Sequence, residues 1–150
     1  MSAETDMIKL YSGKILELAA DMPLTERLEA PDATVKKRSP LCGSTVTVDI
    51  QAQDGIVTAY GQDVKACALG QAAASVVGGA ILGATQAEVV RARDELHAML
   101  KSDGPAPRAP FDGLAVLMPA KDYRNRHASI MLALDAATEA LEAAEKAACA

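Results

Sequence analysis

Three side chains in this sequence have the chemistry to hold a soft or borderline metal: Cys42, Cys67 and His127. Cys42 sits in Ser39-Pro40-Leu41-Cys42-Gly43, where proline and glycine mark a turn from which a side chain can point outward. Cys67 falls at the start of an Ala/Gly-rich helical pattern, where unpaired backbone N–H groups favour a thiolate. His127 opens a later helical segment beside Arg124 and Arg126. That helix end and those cations disfavour the imidazolium and leave a ring nitrogen free for a metal. Two thiolates and an imidazole suit zinc or iron–sulfur iron better than magnesium or calcium. All three fall at the ends of elements, where a folded domain can bring distant segments together.

Each residue taken singly has an ordinary explanation. A lone cysteine is commonly a small buried hydrophobe, and a lone histidine a cap or core residue. The chain has no CxxC pair, which weighs against a zinc finger. Nothing marks the pocket and orienting group that a Cys–His nucleophile needs. Gly78-Gly79 and Gly83 lack the Lys-Ser/Thr of a phosphate loop and read as helix packing or a break. His97, between Leu96 and Met99, reads as structural, and Cys149 as too close to a fraying end to serve as a ligand.

The elements that must position these residues follow from periodicity. Met7 to Ala20 sets Ile8, Tyr11, Ile15, Leu18 and Ala19 on one helical face, with Met22-Pro23 closing the helix. Ala33 to Arg38 is a short polar strand. Thr45 to Gln51 alternates, with Val46, Val48 and Ile50 facing one way. Gln53-Asp54-Gly55 is a hairpin turn, and Ile56 to Tyr60 a third strand closed by Gly61. Cys67 to Leu82 is a helix interrupted near Gly78-Gly79. Thr85-Gln86-Ala87-Glu88 is a capping box opening a helix to Lys101. A Pro-rich loop spans Ser102 to Pro110, then Phe111 to Met118 forms a short apolar element ended by Pro119. Arg126 to Ala148 is helical and Ala-rich. This order predicts an α+β domain: a three-stranded antiparallel sheet with helices packed mainly on one face.

Composition sets the bounds. A chain of 150 residues fits one domain, 1–150, with one hydrophobic core. Half the residues are apolar but only 3% are aromatic, so Ala, Val, Leu, Ile and Met must build that core from closely packed helices. A net charge of −5 offers no attraction for nucleic acid. Met1 to Leu10, with Glu4 and Asp6, reads as neither signal nor transit peptide. Ala66 to Thr85 carries no charge yet is mostly Ala and Gly, a buried small-residue helix and not a membrane span. Three cysteines, an odd number, point to a reducing compartment, read as cytoplasmic.

In combination the motifs resemble the U-type (NifU N-terminal, IscU-like) iron–sulfur cluster scaffold family. Ser39-Pro40-Leu41-Cys42-Gly43-Ser44 is similar to its first cluster motif, Asn-Pro-x-Cys-Gly-Asp. Val64-Lys65-Ala66-Cys67, leading into Ala68-Leu69-Gly70-Gln71-Ala72-Ala73-Ala74-Ser75, resembles its second. Arg124-Asn125-Arg126-His127-Ala128-Ser129 lies where the family has Arg-x-Lys-Cys or Lys-Leu-His-Cys-Ser. The order of elements agrees over essentially the whole chain. Two departures stand out. The Asp after Cys-Gly is Ser44, a much weaker metal ligand, and the third cysteine is missing. Either His127 replaces that cysteine, or His127 matches the family's histidine and Ala128 stands where the cysteine was. The chaperone-recognition segment Leu-Pro-Pro-Val-Lys is echoed only by Met118-Pro119-Ala120-Lys121.

The resemblance implies a scaffold, not an enzyme in the strict sense. A cysteine desulfurase would deliver sulfur, a transient iron–sulfur cluster would form on Cys42, Cys67 and His127, with Ser44 as a further candidate, and recipient apo-proteins would take it. The alternatives are a zinc-bound sulfur-transfer protein of the same fold, or a metal-free member that only binds partners.

Overall fold

The computed structural model describes residues 13–40 and 43–149, with side chains as far as Ala147. Met7 to Ser12 and Leu41-Cys42 lie outside the described residues. The elements are α1 (Lys14–Ala20), β1 (Ala33–Arg38), β2 (Thr45–Gln53), β3 (Ile56–Lys65), α2 (Ala68–Ala80), α3 (Gln86–Lys101), a 3-10 helix (Asp112–Asp122) and α4 (Arg124–Cys149).

The sheet is antiparallel throughout, in the order β1-β2-β3. Alternation in β2 places Val46, Val48 and Ile50 in the core, fully covered by helices. Asp54 and Gly55 both take positive φ, 55° and 75°, the turn that matches the twist of a tight hairpin. β3 does not stop at Gly61. It runs on to Lys65 because Gly61 admits a neighbouring backbone: a Cβ there would collide with the Glu26 carbonyl oxygen. The extension carries the chain directly to Cys67.

The helices cover one face of the sheet, as the periodicity predicts. α4 crosses β1 and β2, and α2 lies between β3 and α4. α2 is not interrupted at Gly78-Gly79 but passes through them to Ala80. Gly78 makes room for a neighbour instead of breaking the helix, since a Cβ would meet Gln62 Nε2 at 2.7 Å. That amide is buried and donates to the Pro23 and Ala74 carbonyls at 3.0 and 3.2 Å. At Thr85 both bonds of the capping box form, and α3 begins at the next residue.

Pro119 lies inside the 3-10 helix and does not end it. Its fixed φ suits that conformation. Leu114, Leu117 and Ala120 recur every third residue, the repeat of a 3-10 helix, and all three are buried. Along α4, Ile130, Leu134, Ala137, Leu141 and Ala144 form the buried stripe. Among the described residues no helix is long and apolar enough to cross a membrane.

The outer face of the sheet is pinned by Asp49, whose side chain is fully buried. Its carboxylate accepts hydrogen bonds from Arg27 Nε and Nη2, Leu28 N and Thr34 Oγ1. These bonds tie the linker after α1 across β1 and β2. The Arg27 hydrogen bond, helped by Thr34 and Leu28, holds the carboxyl below its ordinary value against the opposing effect of burial. A depressed native pKa contributes stability above the ordinary carboxylate value and loses it as pH falls through the native one. Asp49→Asn should therefore destabilise the fold near neutral pH by on the order of 2 kcal/mol. The gap from the native chain should close below about pH 4. Urea unfolding of both proteins across that range measures it; a gap that stays constant in acid would show that Asp49 acts by packing alone.

Candidate functional site

Cys67 is the residue before α2, with an extended backbone (φ −65°, ψ 169°) that turns the chain from β3 into the helix. Its thiol is free and partly exposed. Sγ lies 3.5 Å from Ser129 Oγ in the second turn of α4. Ser129 Oγ in turn donates to Ser44 Oγ at 3.0 Å. Ser44 stands at the close of the turn before β2, where Ser39 N donates to the Ser44 carbonyl at 2.8 Å and Gly43 N to the Ser39 carbonyl at 3.0 Å. Three separate segments thus converge on one point: the β1–β2 turn, the start of α2 and the start of α4. Ser44 and Ser129 are buried, at 4% and 1% exposure, behind the more open Cys67.

The convergence depends on close helix packing. Gly70, one turn into α2, faces Ser129; a Cβ there would stand 2.6 Å from Ser129 Oγ and 2.9 Å from Ala66 Cβ. Only a residue without a side chain lets the two helices start this near each other.

The sequence singled out Cys42, Cys67 and His127. Cys42 lies outside the described residues, two positions before Ser44. His127 is 1% exposed, and its Nε2 is 3.0 Å from the Ala120 carbonyl oxygen of the 3-10 helix. Positions 127 and 129 are about 200° apart around a helix, so with Ser129 turned to Cys67, His127 faces away toward the 3-10 helix. There it borders a cavity of about 350 Å³ that Lys101, Asp103, Lys121 and Asp122 also line. Burial pushes the imidazole below its ordinary value, and the nearby cations Lys101 and Arg124 add to that, so the ring is neutral at neutral pH. Donation from Nε2 to a carbonyl makes Nδ1 the bare nitrogen, and it makes no hydrogen bond among the described residues. Ser129 is the site residue that sequence reasoning passed over. A serine carries no ligand signal; only its packing against Cys67 reveals it. Among the described residues no group of three or more His, Cys, Asp or Glu is placed to hold a metal ion.

Cys67 thus stands where strand three becomes helix, packed through Ser129 against Ser44 at the entry to strand two, in a small antiparallel sheet backed by helices. No protein-family model matches the chain, and no curated protein does. Solved structures do. A nitrogen-fixing NifU-like protein (N-terminal) from Brucella abortus is 42% identical and superposes with a TM-score of 0.92, covering 94% of this chain and 98% of its own. An iron–sulfur cluster assembly scaffold candidate for the SUF system from Fervidobacterium islandicum AW-1 is 18% identical, with a TM-score of 0.79 and coverage of 89% and 98%. A hypothetical protein of known structure gives 16% identity, a TM-score of 0.80 and coverage of 90% and 98%. At those identities the last two speak to the fold alone. With the Brucella relative, the chain belongs to the NifU N-terminal-like family of U-type iron–sulfur cluster assembly scaffolds.

If Gly70 is what lets α2 and α4 meet, Gly70→Ala should destabilise the protein by about 1–3 kcal/mol through overpacking. That outweighs the roughly 1 kcal/mol that alanine gains over glycine inside a helix. Thermal unfolding checks the sign; a more stable variant would mean the helices separate without cost.

Proposed function

We propose that this chain receives sulfur and iron on Cys42 and Cys67, holds them as a nascent iron–sulfur cluster, and passes the cluster to recipient apo-proteins. The observation that carries this reading is the placement of Cys67, a partly exposed free thiol at the start of α2 that packs through Ser129 against Ser44 at the entry to β2. The resemblance in sequence motifs and the similarity to the Brucella relative support the same role.

Sulfur loading needs little more than that geometry. A thiolate at Cys67 attacks the terminal sulfur of a donor persulfide, such as a cysteine desulfurase presents. The donor's S–S bond breaks, a new one forms at Cys67, and the donor leaves as a thiolate. No net redox change occurs in that exchange. Conversion of each sulfane sulfur to sulfide then takes two electrons from an outside reductant. The cluster is cargo, so a ligand set that releases it is an advantage, and partial solvent exposure at Cys67 keeps the sulfur accessible.

Anaerobic reconstitution with ferrous iron and sulfide, followed by iron, acid-labile sulfide and zinc analysis, tests the proposal. The native chain should gain iron and sulfide in matching amounts, and Cys67→Ala should lose both. Zinc alone would favour the sulfur-transfer reading, and no metal would leave a partner-binding protein. His127→Ala belongs in the same series. A loss as complete as that of Cys67→Ala makes His127 a ligand that swings from Ala120; full retention makes it a brace between α4 and the 3-10 helix.

A further inference from the structure

We infer that the cavity beside His127 binds a small oxyanion that carries its own hydroxyl hydrogen, either hydrogen phosphate or an α-hydroxy acid. The inference goes beyond the scaffold reading and draws on neither cysteine. The cavity opens where the ends of three elements meet. Leu100 and Lys101 close α3, Lys121 and Asp122 close the 3-10 helix, and Arg124 begins α4. Its volume of about 350 Å³ lies at the small end of the range for ligand pockets, roughly 300–1,000 Å³. Leu100 is the one apolar side chain on its wall. Room and lining together suit a small polar ligand.

His127 supplies the selectivity. It is buried, and Nε2 lies 3.0 Å from the Ala120 carbonyl oxygen, an atom that only accepts. The hydrogen of the neutral ring is therefore on Nε2, and Nδ1 presents a lone pair with no partner among the described residues. A buried acceptor left unmatched costs free energy that a hydrogen on a ligand would recover. The same wall supplies charge. Asp103 is taken up by Lys121 at 3.2 Å. Lys101 and Arg124 have no ion pair among the described residues and stand against the single carboxylate of Asp122. Burial first, then the charges of Lys101 and Arg124, depress the imidazole, so both cations are within electrostatic reach of the ring. Cations alone would take any oxyanion. A lone pair set among them repels an ion that is all acceptor and favours one that brings a hydroxyl. Sulfate is of the first kind at neutral pH, and hydrogen phosphate and malate are of the second.

Nuclear magnetic resonance of the full chain, at neutral pH and constant ionic strength, follows the His127 ring nitrogens, told from those of His97 by the His97→Gln variant. The probes are inorganic phosphate against sulfate, and malate against succinate, each pair differing in the hydroxyl hydrogen. Phosphate and malate should shift the Nδ1 signal saturably, with Kd on the order of 1 mM or below. Each should bind at least about tenfold more tightly than its counterpart. Saturation by phosphate alone identifies an inorganic ligand, and by malate alone a hydroxy acid; either supports the inference. Lys101→Gln combined with Arg124→Gln, both at exposed positions, should weaken binding about tenfold or more and leave the fold intact. His127→Phe keeps the bulk of a ring, removes the lone pair and should erase the preference for phosphate over sulfate. Should it fail to fold, the native comparison and the cation variant decide. Four results would overturn the inference: no binding of phosphate or malate, sulfate or succinate binding as tightly as its counterpart, unchanged affinity in the cation variant, or a folded His127→Phe that keeps the preference.

Discussion

Everything at the site depends on how near α2 can lie to α4, and that distance is set where Gly70 meets Ser129. The rest of α2 is built to the same constraint. Ala72, Ala73 and Ala74 are wholly buried, so the helix backbone sits close to its neighbours along its length. A core rich in aromatic rings would hold these helices apart and carry Cys67 away from the β1–β2 turn. The near absence of aromatic residues is thus a geometric requirement as well as a compositional fact. Phe111, fully buried, is placed just before the 3-10 helix, away from that contact.

The sheet has two faces and two solutions for covering them. Helices bury one face by apolar area, which is non-directional and tolerates small shifts. The other face is held by a fixed set of hydrogen bonds around Asp49, while at the free edge of β3 Gln62 N donates to the Leu24 carbonyl at 2.9 Å. Directional bonds fix position along the strand. Because β2 is gripped at Asp49, its first residues and the preceding Ser44 are held in register opposite the end of β3. Cys67 follows that end by two residues. A polar cluster far from the thiol therefore shares in placing it.

The sheet was legible because alternation at Val46, Val48 and Ile50 is a period-two signal that burial enforces. The start of α3 was legible to the residue, because the Thr85–Glu88 capping box is local chemistry. Glycine and proline misled where tertiary packing, not local preference, gave them their place. Gly61 and Gly78 read as stops, and both are points of close approach inside continuing elements. Pro119 reads as a helix end and lies within a 3-10 helix that can accept it. At the site the sequence marked the residues with strong ligand chemistry. Ser129 was invisible, since a hydroxyl acquires meaning only from what it touches, and the facing directions of positions 127 and 129 follow from the helix and not from composition.

β1 forms one border of the sheet, and among the described residues no strand pairs with its outer side. An open border of this kind is a template for recruiting further chains into a growing sheet. Here it ends in Lys36, Lys37 and Arg38. Lys37 leans inward to Glu139 on α4 at 2.7 Å, while Lys36 and Arg38 point to solvent. Two like charges meeting their own copies across a prospective new pairing would repel. Edge-to-edge stacking of one copy of the protein on another is thereby disfavoured.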